Sequence, residues 1–187
     1  MAYMDDPLKS LVRTLLEREG FWVRSDFWVR LTPEDKAAVR GAWPPRQIDF
    51  VAYKAMTNEL RFVGCAPYLD SQGVRLSSFS RANGPDQYRL FTEANLRSIV
   101  THRIVTQLTE GDSCLPSPDV AFYFVAPKIK DAAERQSLRQ HFEENGWVLW
   151  DDEWINRVLS DMSSASGESD VSSAVAKLLL SFFGYKK

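Results

Sequence analysis

Ile48-Asp49-Phe50-Val51-Ala52-Tyr53 is the first of two apolar runs that decide the fold of this chain. The second run follows the polar turn at 55–59 and reads Leu60-Arg61-Phe62-Val63-Gly64-Cys65-Ala66. Both runs are rich in β-branched and aromatic residues, which favour strands. Two such runs separated by a short polar turn predict a β-hairpin of buried strands. Asp49 is the lone acid of the first run, close to its start.

The remaining patterns extend this hairpin to a mixed sheet with helices. Asp6 and Pro7 are residue types that favour the start of a helix, and Gly20 is one that favours its end, so a first helix is predicted between them. Further helices are predicted over 92–110, 131–145 and 152–162, with a short helical insert at 32–41. Strands are predicted at 21–31, 120–126 and 147–150, the second of them as a central strand buried on both faces. The order of elements predicts an α/β fold, with a central mixed β-sheet flanked by helices in three layers.

The end of the chain has a different composition. Residues 1–162 are predicted to form the α/β domain, and the Ser-rich stretch 163–169 a flexible linker. Residues 170–187 follow as a helix that is apolar nearly all round, so it has to be buried against its own domain or another chain. A homodimer through this C-terminal helix is therefore one prediction.

Composition restricts the function further. The 187 residues are 44% hydrophobic and carry a formal net charge of −2. There is no overall positive field, so contact with nucleic acid requires a local basic patch. Cys65 and Cys114 are interpreted as reduced thiols of a cytoplasmic protein. No apolar run approaches the length of a membrane span, and the start lacks the pattern of a signal peptide.

The hairpin and the elements around it resemble the PD-(D/E)XK nuclease superfamily, which has the restriction-endonuclease-like fold. The resemblance covers roughly the first 125 residues and rests on the element order and on 47–53 and 63–71. It implies that Asp49 corresponds to the first metal ligand of the family. Gly64 stands where the family has its second acid, and Ala66 where it has its lysine. The resemblance therefore implies a degenerate active site.

The chemistry of the complete motif explains why these two positions matter. Two carboxylates and a strand carbonyl hold Mg²⁺ or Mn²⁺, which polarises the phosphodiester and activates water. The lysine orients that water and offsets negative charge. In this chain Asp49 and the backbone carbonyl of Cys65 are the metal ligands that remain. No cofactor is expected, and Mg²⁺ or Mn²⁺ only if hydrolysis survives.

Alternatives remain open for each of these residues. Glu19 and Asp70 are candidates for a displaced second acid. Asp49 has the alternative role of accepting backbone N–H bonds or pairing with an arginine such as Arg46. Five arginines in the loop and helix next to the predicted site are candidates for contacts with nucleic-acid phosphates: Arg75, Arg81, Arg89, Arg97 and Arg103.

The preferred hypothesis is a catalytically degenerate nuclease-fold protein that acts as a nucleic-acid-binding or regulatory module. One alternative is an active metal-dependent nuclease that uses Asp49 with a displaced acid. Another is a protein–protein interaction module of a defence or toxin–antitoxin type system.

Overall fold

A five-stranded mixed sheet forms the centre of the molecule. The computed structural model describes residues 6–39, 47–67, 72–79 and 88–164. The strands are β1 (Trp22–Trp28), β2 (Gln47–Lys54), β3 (Glu59–Cys65), β4 (Asp119–Val125) and β5 (Val148–Trp150). The helices are α1 (Pro7–Arg18), α2 (Pro33–Ala38), α3 (Arg89–Thr92), α4 (Ala94–Glu110), α5 (Ala132–Glu144) and α6 (Asp152–Ser164).

The strands lie in the sheet in the order of the sequence, β1-β2-β3-β4-β5. β1, β2 and β3 form an antiparallel meander. β4 runs parallel to β3, and β5 parallel to β4. A parallel neighbour needs a crossover connection, which α3 and α4 supply between β3 and β4 and α5 supplies between β4 and β5. The predicted α/β class, with helices on both sides of a mixed sheet, is confirmed.

Each face of the sheet has its own hydrophobic core. On one face, side chains of α1 and α6 pack against Phe50, Ala52, Val63 and Cys65. We call this the α1 core. On the other face, side chains of α3, α4 and α5 pack against Val51, Leu60, Phe62 and Phe124. We call this the α4 core. The three layers follow from this two-sided burial.

Local capping explains where the helices begin and end. The Asp6 carboxylate accepts the backbone N–H of Leu8 at 2.9 Å, and Pro7 occupies the first turn of α1. Gly20, just beyond α1, has φ of +84°, a conformation that glycine adopts without steric cost. Asp131 caps α5 in the same way, by accepting the N–H of Glu134 at 2.9 Å. These predicted boundaries are confirmed.

Two elements differ from the sequence predictions. The helix predicted from residue 92 begins at Ala94, and a separate short helix, α3, ends at Thr92, because Glu93 between them has extended backbone, with φ of −117° and ψ of 99°. The strand predicted at 120–126 is an interior strand, but its predicted burial on both faces holds only at its end, where Phe124 packs in the α4 core and Val125 in the α1 core. β3 is the central strand, and most of β4 is only partly buried, because β5 has three residues and pairs only with the end of β4.

The far end of the described chain also bears on the prediction of domains. α6 continues to Ser164, two residues into the predicted linker. The rest of that linker and the predicted C-terminal helix at 170–187 lie outside the described residues. Among the described helices, none has both the length and the apolar character that crossing a membrane requires.

Candidate functional site

At Asp26 in β1 and at Asp49 in β2, the regular alternation of side chains between the two faces of the sheet is interrupted. Phe50 packs in the α1 core, whereas Ile48, two residues earlier, packs in the α4 core. Regular alternation would keep residues two apart on the same face. The ladder pairs Ser25 with Phe50 and Phe27 with Ile48, so that Asp26 and Asp49 lie opposite each other in between. Asp26 has φ of +51°, which interrupts the regular strand.

Lys9 of α1 bridges the two aspartates. Its Nζ lies 2.6 Å from Oδ1 of Asp49 and 3.2 Å from Oδ1 of Asp26. The other oxygen of Asp49, Oδ2, accepts the backbone N–H of Cys65 at 2.8 Å. Both oxygens of Asp49 therefore have partners within the protein. The alternative role of Asp49, as an acceptor of a backbone N–H, is confirmed, and its cationic partner is Lys9. Arg46 lies outside the described residues.

The electrostatics of Lys9 agree with this geometry. Partial burial by itself would lower the pKa of Lys9. The hydrogen bond and charge of Asp49, followed by those of Asp26, outweigh burial and raise that pKa above its ordinary value. Lys9 is therefore a permanent cation at neutral pH. We call Lys9, Asp26 and Asp49 the Lys9 cluster.

Gly64 and Ala66 belong to the opposite face of the sheet. A Cβ placed on Gly64 would lie 3.4 Å from Cε2 of Phe91 and 3.6 Å from Cδ2 of Phe124. Ala66 is buried in the same α4 core. These rings belong to an aromatic cluster that comprises Phe79, Tyr88, Phe91, Phe124, Phe142 and Trp147. Gly64 and Ala66 therefore face the α4 core, whereas the Asp49 carboxylate points to Lys9 of α1.

Cys65 contributes its backbone N–H to the Lys9 cluster, and its side chain packs in the α1 core. Burial, and then the charge of Asp49, raise the pKa of the Cys65 thiol well above its ordinary value. The thiol is therefore neutral and has the environment of a core side chain. Its proposed role as a backbone ligand for a metal ion stays a prediction.

Of the two displaced acids expected from the sequence, Glu19 does not join Asp49. Glu19 pairs with Arg61, near the start of β3, whereas Asp49 lies beside Cys65 at the end of that strand. Asp70 lies outside the described residues. The acid that does approach Asp49 is Asp26. Within the described ranges, no group of three or more His, Cys, Asp or Glu side chains is arranged to hold a metal ion.

Sequence reasoning missed Lys9 and Asp26, although both carry a local signal. Lys9 lies in the first turn of a helix, where the helix dipole disfavours a cation. A lysine at such a position indicates acidic partners nearby. Asp26 lies near the end of a strand that begins and ends with aromatic residues, and aspartate is one of the few residue types that tolerate positive φ.

The five candidate arginines have different environments. Arg89 pairs with Glu93, with Nε 2.6 Å from Oε1, and Arg103 contacts both carboxylate oxygens of Asp35. Both charges are therefore neutralised inside the protein. Arg75 donates to the side-chain carbonyl of Gln72 at 3.0 Å. Arg81 lies outside the described residues.

Arg97 is different from the other candidates. Its guanidinium stacks over the Trp147 ring at 4.8 Å and donates to the carbonyl oxygen of Leu90 at 3.2 Å. Burial lowers its pKa, and no carboxylate pairs with it in the part of the chain that the structure describes. Arg97 and Arg75 are therefore the described candidates whose positive charge is not cancelled by an ion pair.

An open groove of about 540 Å³ lies beside the start of β1. Trp22, Tyr53, Leu115 and Pro116 supply most of its apolar wall. The Tyr53 hydroxyl accepts the N–H of Leu115 at 3.1 Å and donates to Oδ1 of Asn58 at 2.9 Å. These hydrogen bonds fix the loop that follows α4 against the hairpin turn. No sequence prediction had singled out this groove.

Comparison of the chain with protein-family models, with curated proteins and with solved structures gave no significant match.

Proposed function

We propose that this protein is a catalytically degenerate relative of the PD-(D/E)XK nucleases that acts by binding, as a nucleic-acid-binding or regulatory module. The observation that carries the proposal is the ion pair between Lys9 and Asp49, at 2.6 Å. The order of helices and strands, with the acid-bearing hairpin followed by a strand parallel to β3, supports the relationship to that fold.

The Lys9 ammonium stands where a nuclease of this kind would need a metal ion. A divalent cation at Asp49 would have to displace a tethered cation that two aspartates already stabilise. Gly64 and Ala66 provide no replacement ligand or charge, and both are turned to the α4 core. Loss of a catalytic acid, base or charge-stabilising group costs on the order of 10²-fold in rate for each group. Two such losses together lower the rate of hydrolysis on the order of 10⁴-fold.

Binding, in contrast, does not need the metal site. Phosphate contacts are made by exposed or partly exposed cations. Arg75 and Arg97 satisfy this requirement better than Arg89 and Arg103, which are neutralised by Glu93 and Asp35. We therefore assign the contact with nucleic acid to the surface next to Arg75 and Arg97.

A binding experiment tests this assignment. Fluorescence anisotropy is measured with labelled single-stranded and duplex oligonucleotides of DNA and RNA, at low and high salt, without divalent metal. We expect binding that weakens with salt. Binding should also weaken in Arg97→Gln and Arg75→Gln but not in the matched control Arg103→Gln. Absence of binding to all four oligonucleotides, or equal loss in the control variant, would contradict the nucleic-acid proposal.

One observation favours a second candidate, the active nuclease. Asp26 approaches the same Lys9 ammonium as Asp49, so two acids and one lysine meet from three different elements. These are the residue types of the nuclease motif. If this cluster hydrolysed phosphodiesters, cleavage with Mg²⁺ or Mn²⁺ would disappear in both Asp49→Asn and Asp26→Asn. We expect no cleavage by the unmodified chain under the same conditions.

A further inference from the structure

The open groove beside β1 presents apolar side chains to solvent at one end of the sheet. Trp22, at the start of β1, pairs with Tyr53 at the end of β2, and both residues line the groove. Tyr53 belongs to the α4 core, so the groove opens on the α4 side of the sheet. Trp22 is 44% exposed and Leu115 is 55% exposed, high fractions for large apolar side chains. Neighbouring exposed apolar side chains in a groove are typical of a docking surface.

We propose that this groove is the docking site for the C-terminal segment 170–187 of the same chain, which lies outside the described residues. The sequence of the segment contains Val175, Leu178, Leu179 and Phe182, which have the spacing of one stripe of a helix. In the proposal this stripe packs against the apolar wall of the groove. The segment and the groove then remove each other's apolar surface from water.

The course of α6 brings the segment close to the groove. β5 runs parallel to β4, and β4 to β3, so α6 begins beyond the end of the sheet at which β3 ends with Cys65. Ile155, Leu159 and Met162 all pack in the α1 core, so α6 runs back along the sheet. Its 13 residues span about 20 Å, close to the length of a seven-residue strand. α6 therefore ends near the end of the sheet at which Trp22 and the groove lie.

The intervening chain is long enough to pass from one face of the sheet to the other. Residues 165–174 lie between the end of α6 and the stripe. They reach about 24 Å even if 170–174 are helical. The path from the helix layer on one face to the groove on the other is roughly 20 Å, two layer spacings of about 10 Å each. The segment of the same chain therefore reaches the groove without a second copy.

Charge complementarity favours this segment as the occupant. Asp112 contributes an exposed carboxylate to the lining of the groove, and Glu110 is exposed at the adjoining end of α4. Residues 171–187 contain three lysines, Lys177, Lys186 and Lys187, and no acidic side chain. A basic apolar segment matches an apolar groove that has acids at its rim.

A disulfide trap in the full chain provides the first test. In Leu115→Cys/Leu179→Cys the two thiols should form a disulfide within one chain when oxidised glutathione is added. Trp28→Cys/Leu179→Cys is the matched control, because Trp28 is 54% exposed but lies at the opposite end of β1. We expect the groove pair to crosslink roughly tenfold faster than the control, since docking raises the effective concentration of the two thiols. Peptide mapping identifies the linked residues, and non-reducing electrophoresis separates crosslinked monomers from dimers.

NMR signals of the groove provide the second test, which needs no crosslink. The amide signals of Trp22 and Leu115 are compared in the full chain, in Leu179→Asp and in the matched control Ser173→Asp, which places the same charge on the opposite side of the predicted helix. Leu179→Asp should shift both signals and raise the amide exchange rate of Leu115 roughly tenfold, whereas Ser173→Asp should leave both unchanged. An unchanged Cys65 amide signal shows that the sheet remains folded.

Three results would overturn the proposal. A crosslink between two chains would assign the segment to a second copy. Equal crosslinking of the groove pair and the control would show that the segment has no preferred site. Groove signals that stay unchanged in Leu179→Asp would show that the stripe does not contact the groove.

Discussion

Lys9 Nζ and Asp49 Oδ1 lie 2.6 Å apart, and this contact joins helix α1 to strand β2. The carboxylate that a nuclease would use to hold its metal ion is held here by an ammonium and by a backbone N–H. The arrangement gives Asp49 a structural role that does not depend on a metal ion. A buried or half-buried carboxylate needs partners, and the fold supplies them.

Removal of the Lys9 charge should destabilise the protein. In Lys9→Met, Asp49 and Asp26 lose their shared cation and face each other as like charges. We expect the free energy of unfolding to fall by about 1–2 kcal/mol, since the pair is only partly buried. Urea unfolding measures the change. Lys36→Met, at an exposed position of α2, is the matched control and should have little effect. Equal stability of Lys9→Met and the unmodified protein would contradict a structural role for the cluster.

The stabilisation that Lys9 contributes to the folded protein should be lost on the alkaline side of neutral pH. The pKa of Lys9 is higher in the folded than in the unfolded protein. Its stabilisation is therefore fully present below the unfolded pKa, roughly 10.4, and is lost as pH rises through the folded pKa. From neutral pH upwards, the difference in stability between the unmodified protein and Lys9→Met should stay constant and then shrink in strongly alkaline solution. Urea unfolding over a pH series measures this. A difference that disappears near pH 7 contradicts the raised pKa.

Restoration of the missing acid should fail for a structural reason. Gly64→Glu would direct a carboxylate at the rings of Phe91 and Phe124, which lie closest to a Cβ at this position. We expect roughly 3 kcal/mol or more of destabilisation, the cost of an unpaired polar group in an apolar site. Gly64→Ala, whose Cβ only reaches van der Waals contact, should cost roughly 1 kcal/mol or less. Thermal and urea unfolding compare the two variants. Metal-dependent cleavage by Gly64→Glu/Ala66→Lys would show that these positions reach the metal site after all.

The Tyr53 hydroxyl should stabilise the groove beside β1. In Tyr53→Phe the N–H of Leu115 and the side chain of Asn58 each lose a hydrogen-bond partner. We expect a loss of about 1–2 kcal/mol and faster amide exchange at Leu115. Tyr123→Phe is the control, because the described residues offer its hydroxyl no hydrogen-bond partner. Unchanged exchange at Leu115 would contradict the role of Tyr53 as the anchor of this loop.

The sequence predicted which segments form helices and strands better than it predicted which face of the sheet each side chain occupies. Caps such as Asp6 and Asp131 act over three residues or fewer, so the local pattern was sufficient for them. The apolar run with Gly64 and Ala66 was recognisable as a strand, but its orientation depends on packing against Phe91, which follows much later in the chain. The positive φ of Asp26 moves the side chains that follow it in β1 to the other face of the sheet. The alternation of residue types in the sequence does not reveal this backbone angle.

The Lys9 cluster shows the same limit at the level of the site. Sequence reasoning looked for the second acid in Glu19 and Asp70, because these lie near the hairpin or its helix in sequence. Asp26 lies opposite Asp49 because β1 pairs with β2, and Lys9 reaches both because α1 packs on this face of the sheet. Such contacts depend on tertiary packing, although the unfavourable position of Lys9 in its helix was visible.

A Mn²⁺ titration tests most directly whether the Lys9 ammonium or a metal ion occupies the position beside Asp49. Mn²⁺ is titrated into the full-length protein and into Asp49→Asn, and paramagnetic broadening of the Cys65 amide signal reports occupancy next to Asp49. We expect no saturable broadening of this signal in either protein at Mn²⁺ concentrations up to roughly 1 mM, a level at which a magnesium-type carboxylate site would fill. Saturable broadening in the unmodified protein that disappears in Asp49→Asn would show that the metal displaces Lys9 and would contradict the loss of the catalytic site.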